Sequence, residues 1–330
     1  MDGTLARHWD SWIPGHPEFG KTRPWSPNPN NVKDFFETGI ENTTSLSFGK
    51  GGEDFSVRAT GRVSQGTIPV PNASRDTYDV NISASLNATE KLTIYANMNA
   101  RIQDTDNYVS SGYGSLSSNF SQWWQRQLDM DRLRESYFYN GAFYTWNRKS
   151  ARNAKPQYWD APHYEQYQNT NKNKNSTYSG NFGMNYDIMD GLNANIEVNR
   201  RAYNRNSHGR TYVGTNTLNT QAGYSEGSYF SEQNELNAKL KYDKDITDDF
   251  DVTAILGYGA RQTKVISTSA STSGGLAIPD FYTIANSKDK PSYSTNRSNR
   301  SGISAYGLLS LGWKSMLSVS YTHLTLPTIE

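Results

Sequence analysis

Cysteine is absent from the 330 residues, which excludes disulfide frameworks, thiol nucleophiles and thiolate metal sites. Also missing is any run of roughly 20 apolar residues, the length a membrane-spanning helix needs. Only 35% of the chain is hydrophobic, and its mean hydropathy is −0.80. No charge sign dominates: 33 basic residues face 32 acidic ones, and the basic ones are scattered, so the basic footprint of a nucleic-acid binder is missing. His8, His16, His163, His208 and His323 have no metal-ligand spacing, no glycine-rich loop joins a strand to a helix, and Ser, Asp and Glu form no pattern that singles out a triad. The reading is of a non-enzyme without cofactor or metal. Met1-Asp2-Gly3-Thr4-Leu5-Ala6-Arg7-His8-Trp9 is not a signal segment and resembles the middle of a protein, so a fragment is expected.

What the sequence does have is strict alternation. Tyr78, Val80, Ile82, Ala84 and Leu86 interleave with Asp79, Asn81, Ser83 and Ser85; Leu92, Ile94, Ala96, Met98, Ala100 and Ile102 interleave with Thr93, Tyr95, Asn97, Asn99 and Arg101. A period of two on both sides of a short polar turn puts the apolar side chains on one face of an antiparallel hairpin. Similar runs predict strands near 43–49, 53–65, 76–87, 90–104, 176–188, 191–204, 230–244, 249–265 and 299–314. Their connections alternate between short (49–54, 87–91, 189–191, 245–249) and long (64–75, 105–175, 205–229, 266–297). All tight turns therefore lie at one end of the sheet and all long loops at the other, as in a transmembrane β-barrel. Large rings on the apolar face stand beside the tight turns (Phe48, Phe55, Tyr186, Tyr242, Phe250 and Trp313), where an interfacial girdle belongs.

The segment 1–42 is rich in Trp and Pro and reads as an irregular, aromatic-packed loop, with a short Asn-capped helix over 30–37. The long loop 105–175 is expected to carry its own structure, including a helix over 119–133 capped by Asn119. Trp9, Trp12, Trp25, Trp123, Trp124, Trp146 and Trp159 all fall on the loop side. Sugar rings and peptide side chains pack on exposed aromatic faces, so Trp123, Trp124, Trp146 and Trp159 are the candidate substrate contacts; the bland alternative is that such rings pack the loops together.

Several segments resemble a known family. Asn30-Asn31-Val32-Lys33-Asp34-Phe35-Phe36-Glu37-Thr38-Gly39, the strand and turn Leu46-Ser47-Phe48-Gly49-Lys50-Gly51-Gly52, the loop Ser64-Gln65-Gly66-Thr67-Ile68-Pro69-Val70-Pro71-Asn72, Gln122-Trp123-Trp124-Gln125-Arg126-Gln127-Leu128-Asp129 and Leu311-Gly312-Trp313-Lys314-Ser315-Met316 are similar, in order, to motifs of the SusC/RagA-type TonB-linked outer-membrane transporters. The resemblance implies a barrel of about 22 strands with a plugged lumen, of which this chain supplies fewer than half. It further implies an outer-membrane importer of oligosaccharides or peptides, capped by a SusD-like surface lipoprotein and energised by the TonB complex through a plug outside this chain. On that reading 43–316 is a partial barrel in contact with outer-membrane lipid, and Arg58, Arg62, Asn97, Arg101, Asn237 and Lys239 face the lumen. Residues 317–330 have no family counterpart and read as a non-native tail. With two unpaired sheet edges, the fragment is not expected to insert or transport by itself. The rival is a soluble, secreted all-β carbohydrate-binding or adhesive module, which requires the apolar faces to meet in a dry core.

Overall fold

A computed structural model describes residues 3–109, 111–217, 220–314, 317–325, 328 and 329. Its dominant feature is one antiparallel sheet of long strands: β1 (Glu41–Gly51), β2 (Phe55–Thr67), β3 (Ser74–Thr89), β4 (Leu92–Asp106), β5 (Asn171–Met189), β6 (Leu192–Thr211), β7 (Gly223–Thr247), β8 (Phe250–Leu276), β9 (Ser287–Trp313) and β10 (Leu317–Thr325). Each strand pairs with its neighbours in sequence, the order that successive hairpins dictate. The expected strands are all present, and tight turns alternate with long connections as the sequence pattern requires.

The ladder explains how the apolar faces line up. Phe55, Leu86, Ile94, Met184, Ile196, Ala238, Tyr258 and Ala305 are directly opposite one another across eight strands. The apolar band does not follow the ladder rows, however. Ala59 and Ile82 stand at the centre of the apolar runs of β2 and β3, and their row continues through Met98, Gly180, Arg200, Asn234, Gln262 and Ser301. On β9 the apolar run 303–313 is centred about seven residues beyond Ser301, toward the tight turns. Between β2 and β9 the band therefore drifts by about one residue per strand, some 3.3 Å along the strand for every 4.8 Å across it. It runs level only if the strands tilt by about 35°, the tilt of a transmembrane barrel.

Among the described residues nothing covers this band. Leu46 is 79% exposed, Phe48 64% and Leu256 64%. The sheet forms a single layer, and the hydrophobic core of the chain lies elsewhere, in the loops. This corrects the soluble-module rival, whose apolar faces had to meet.

Three strands run well past their expected ends: β7 starts at Gly223, β8 reaches Leu276 and β9 begins at Ser287. Above the band both faces are polar, as in the pairs Ser225–Ser271 and Thr268–Thr295, so backbone pairing continues where side-chain alternation has stopped. Leu317–Thr325 also pairs with β9, Leu309 opposite Tyr321 and Leu311 opposite Val319. The segment expected to be a non-native tail thus continues the sheet, because its alternating Ser318-Val319-Ser320-Tyr321-Thr322 suits an open edge.

At the long-loop end, 3–38, 107–109, 111–170 and the described residues of the β6–β7 connection form a cap. The expected helix over 119–133 is instead two, α1 (Leu116–Ser121) and α2 (Met130–Ser136), followed by α3 (Pro162–Gln168). Trp123, with φ at +63°, cannot continue an α-helix. Asn119 lies buried within α1; the helix caps are Ser115, accepting from Ser118 N, and Asp129, accepting from Asp131 N and Arg132 N. The expected 30–37 helix is a 3-10 turn, Asn31–Phe35, and Asn30 makes no side-chain cap.

Candidate functional site

The cap is held by side chains of two motif segments that meet. Asn31, at φ +45°, donates from its amide to the carbonyls of Gln125 (3.3 Å), Arg126 (3.1 Å) and Leu128 (3.1 Å), and accepts from Trp124 Nε1 at 2.6 Å. Asparagine tolerates that backbone conformation and carries both donor and acceptor. Phe35, four residues on, is fully buried against Phe120 and His163. A second tie is ionic. Buried Asp10 receives Arg23 at 2.7 Å and faces Arg132 at 3.5 Å, while both arginines also reach Glu18.

The candidate tryptophans separate here. Trp159 is 0% and Trp146 4% exposed, both inside the cap core, and Trp124 packs half-buried against Trp146 with ring centroids 5.1 Å apart. The rings of Trp146 and Trp159 fill the cap, and Trp124 packs against them with part of its surface open. Trp123 differs, with 76% of its surface exposed.

Sequence reasoning missed a buried acidic cluster beneath α3. Asp160 Oδ2 accepts from Asn216 N (2.7 Å), Thr217 N (2.8 Å) and Thr217 Oγ1 (3.1 Å), and the Thr217 hydroxyl also contacts Glu165. Two carboxylates on one hydroxyl are compatible when one is protonated: Glu165 then donates to Thr217, which donates to Asp160. Desolvation, with Asp160 adding to it, raises Glu165 from 4.5 to about 8. Nearby His163 is depressed from 6.5 to about 4 by burial and by Arg134, whose Nε lies 3.4 Å from Nε2. The signs oppose. A base with a lowered folded pKa loses stability as pH falls from 6.5 to about 4; an acid with a raised one loses it as pH rises from 4.5 to about 8. The cap is therefore expected to be tightest near pH 4.5–6.5 and to loosen toward pH 8, read as lower amide protection factors in 105–175 after correction for the intrinsic base-catalysed rate, and Glu165→Gln should reduce the alkaline loosening.

Below the cap, the face opposite the apolar band is a polar wall. All six residues expected to face the lumen lie on it. Arg58 and Asn97 share one ladder row with Ser83, Asn181, Asn199, Glu235 and Arg261; Arg62 and Arg101 share the next but one with Asp79. Asn237 is opposite Glu197, and Lys239 opposite Asn195. The wall is cross-linked. Arg101 Nε pairs with Asp79 at 2.8 Å, Arg261 with Glu235, and Glu197 accepts from Tyr95 (2.8 Å), Asn181 (3.1 Å) and Asn199 (2.7 Å). Tyr95 reaches Glu197 by lying over Gly183, where a Cβ would come within 2.4 Å of its ring. A trough of about 610 Å³ runs along this wall over Asn81, Asn97, Asn181, Glu197, Asn199 and Glu235. Its amides, guanidinium groups and carboxylates can bind hydroxyls and amides; among the described residues no group of three metal-ligating side chains occurs.

No protein-family model and no curated protein matches the chain. Among solved structures it is similar to the RagAB peptide transporter, at 14% identity and a TM-score of 0.66, over 88% of this chain and 32% of that one. The RagAB importer in its open-open state gives the same identity, TM-score and coverage. The Escherichia coli outer-membrane transporter YddB aligns at 11% identity and a TM-score of 0.48, over 87% of this chain and 34% of that one. The chain thus spans about a third of the length of the RagAB transporter chain. At this identity the likeness to RagAB is one of fold alone, that of a long-stranded antiparallel β-barrel wall.

Proposed function

We propose that the chain is part of a TonB-dependent outer-membrane importer of the SusC/RagA type that carries oligosaccharides or peptides. The observation that carries this reading is the two-faced sheet: a level apolar band on one side, and on the other a cross-linked polar wall ending at a packed aromatic cap. Such a wall lines a polar path through lipid. The fold likeness to a peptide importer supports the import role.

In this reading Arg58, Arg62, Asn97, Arg101, Asn237 and Lys239 face the lumen, and the substrate meets exposed Trp123 at the mouth. Trp124, Trp146 and Trp159 hold the cap's shape. A SusD-like surface lipoprotein covers the cap, and the TonB complex acts through the plug of the whole protein. The test is uptake by cells expressing the full-length protein. Labelled oligopeptides and oligosaccharides are supplied with and without TonB, and one class is expected to enter only when TonB is present. Equal entry of both classes without TonB would overturn the proposal.

A further inference from the structure

The outward face carries charge above the apolar band on strand after strand, two residues beyond the last apolar side chain on β3, β4 and β6, four on β8 and six on β9. Asp76 follows Tyr78 on β3, and Asp104 follows Ile102 on β4. On β6 Arg200 follows Val198; on β8 Lys264 stands four residues past Ala260; on β9 Arg297 and Asn299 lie beyond Ser301 and Ile303. Each keeps the side of the sheet that the band occupies on its own strand. A collar of charge placed beyond the apolar run of each of these strands marks the headgroup side of the band.

The collar is not uniform. On β3–β5 the cations are matched: Lys172 pairs with Asp106 at 3.1 Å and Lys174 with Asp104 at 3.6 Å, and Asp76 stands opposite Asp104. On β6–β9 they are in excess. Glu232 is the acid opposite Lys264 and is engaged by Arg200 at 3.3 Å and by the Asn234 amide at 2.9 Å. Lys264 and Arg297, diagonal neighbours across the β8–β9 ladder, have no ion pair among the described residues. They line a groove of about 600 Å³ with Glu232, Asn234, Gln262 and Ile266.

We propose that this groove binds the phosphate of an outer-leaflet lipid headgroup through Lys264 and Arg297, with Arg200 holding Glu232 away from the anion. Two adjacent cations with the Gln262 and Asn299 amides beside them match a phosphate, and the apolar band, beyond Gln262 and Ser301 toward the tight turns, receives the acyl chains of the same molecule. The inference rests on the band facing lipid.

The test uses the full-length protein in detergent, titrated with a diphosphorylated glycolipid, its dephosphorylated form and inorganic phosphate. Lys264→Ala combined with Arg297→Ala should weaken binding of the phosphorylated glycolipid about tenfold. Lys172→Ala with Lys174→Ala should leave it unchanged, and Lys264→Arg should retain it. Unaltered binding by the double variant overturns the proposal, as does inorganic phosphate binding as tightly as the glycolipid, which would make this a free-anion site. A tryptophan placed by Leu240→Trp, within the band, reports separately on the underlying reading. Quenching by brominated acyl chains without loss of glycolipid affinity rejects the groove alone, whereas absence of quenching rejects the lipid-facing band as well.

Discussion

Ile82→Lys is expected to destabilise the full-length protein in a bilayer by about 2–4 kcal/mol, the cost of a cation on the lipid face near the midplane of a barrel. Ile82 stands at the centre of the β3 apolar run and is 38% exposed, so the new ammonium would have hydrocarbon on one side, and its ladder neighbours Ala59 and Met98 offer no counter-charge. Ile94→Lys, nearer the tight turns, should cost less because its side chain can reach the interface. Asn97→Lys, one row from Ile82 on the opposite face, should stay within about 0.5 kcal/mol. Unfolding midpoints in liposomes report all three. Equal losses for Ile82→Lys and Asn97→Lys would mean that the two faces see the same environment.

The second large effect is expected from Asn31→Ala. The substitution strips one donor group from three carbonyls and the acceptor from the Trp124 indole, and it leaves alanine at a positive φ. Each buried orphan costs about 1–3 kcal/mol and the backbone strain about another 1; because some of these groups can reach water, a loss of about 3–5 kcal/mol from the cap is expected. The effect should be local. Amide exchange in 105–175 should accelerate while the long strands keep their protection, since no sheet hydrogen bond depends on Asn31. Substituting Gly, which accepts the backbone angle, should recover only the strain.

The hairpins and their two faces were legible because alternation is a direct record of a sheet with unlike sides. The same physics explains where legibility ended. Above the band β7, β8 and β9 are polar on both faces, so 223–229, 266–276 and 287–298 carry no period to read, yet they pair. In the cap, the spacing of Phe120, Trp123, Trp124 and Leu128 looked helical, but a positive φ at Trp123 is a tertiary choice that hydrophobic spacing does not encode; Ser115 and Asp129, each three residues ahead of a backbone amide it caps or nearly so, were the readable signs of two helices. The tryptophans show another limit. Composition placed Trp124, Trp146 and Trp159 on the loop side, but only packing distinguishes a ring that fills a core from one that offers a face. Asn31 lies within a motif noticed for its resemblance, while its role as a four-way hydrogen-bond hub needs Gln125, Arg126 and Leu128, about 95 residues away. Thr217, Asp160 and Glu165 left no trace, since their meeting depends on how the β6–β7 connection folds onto α3.

The lipid-facing band is tested most directly by nitroxide scanning along the hairpin of β3 and β4 in the full-length protein, reconstituted in a bilayer. Labels at 78, 80, 82, 84 and 86 should be accessible to oxygen and shielded from a polar nickel complex, those at 79, 81, 83 and 85 the reverse, with a period of two throughout. The phase should carry over to 94, 96, 98 and 100 on β4. Equal accessibility of both sets, or an inverted phase, would contradict the account.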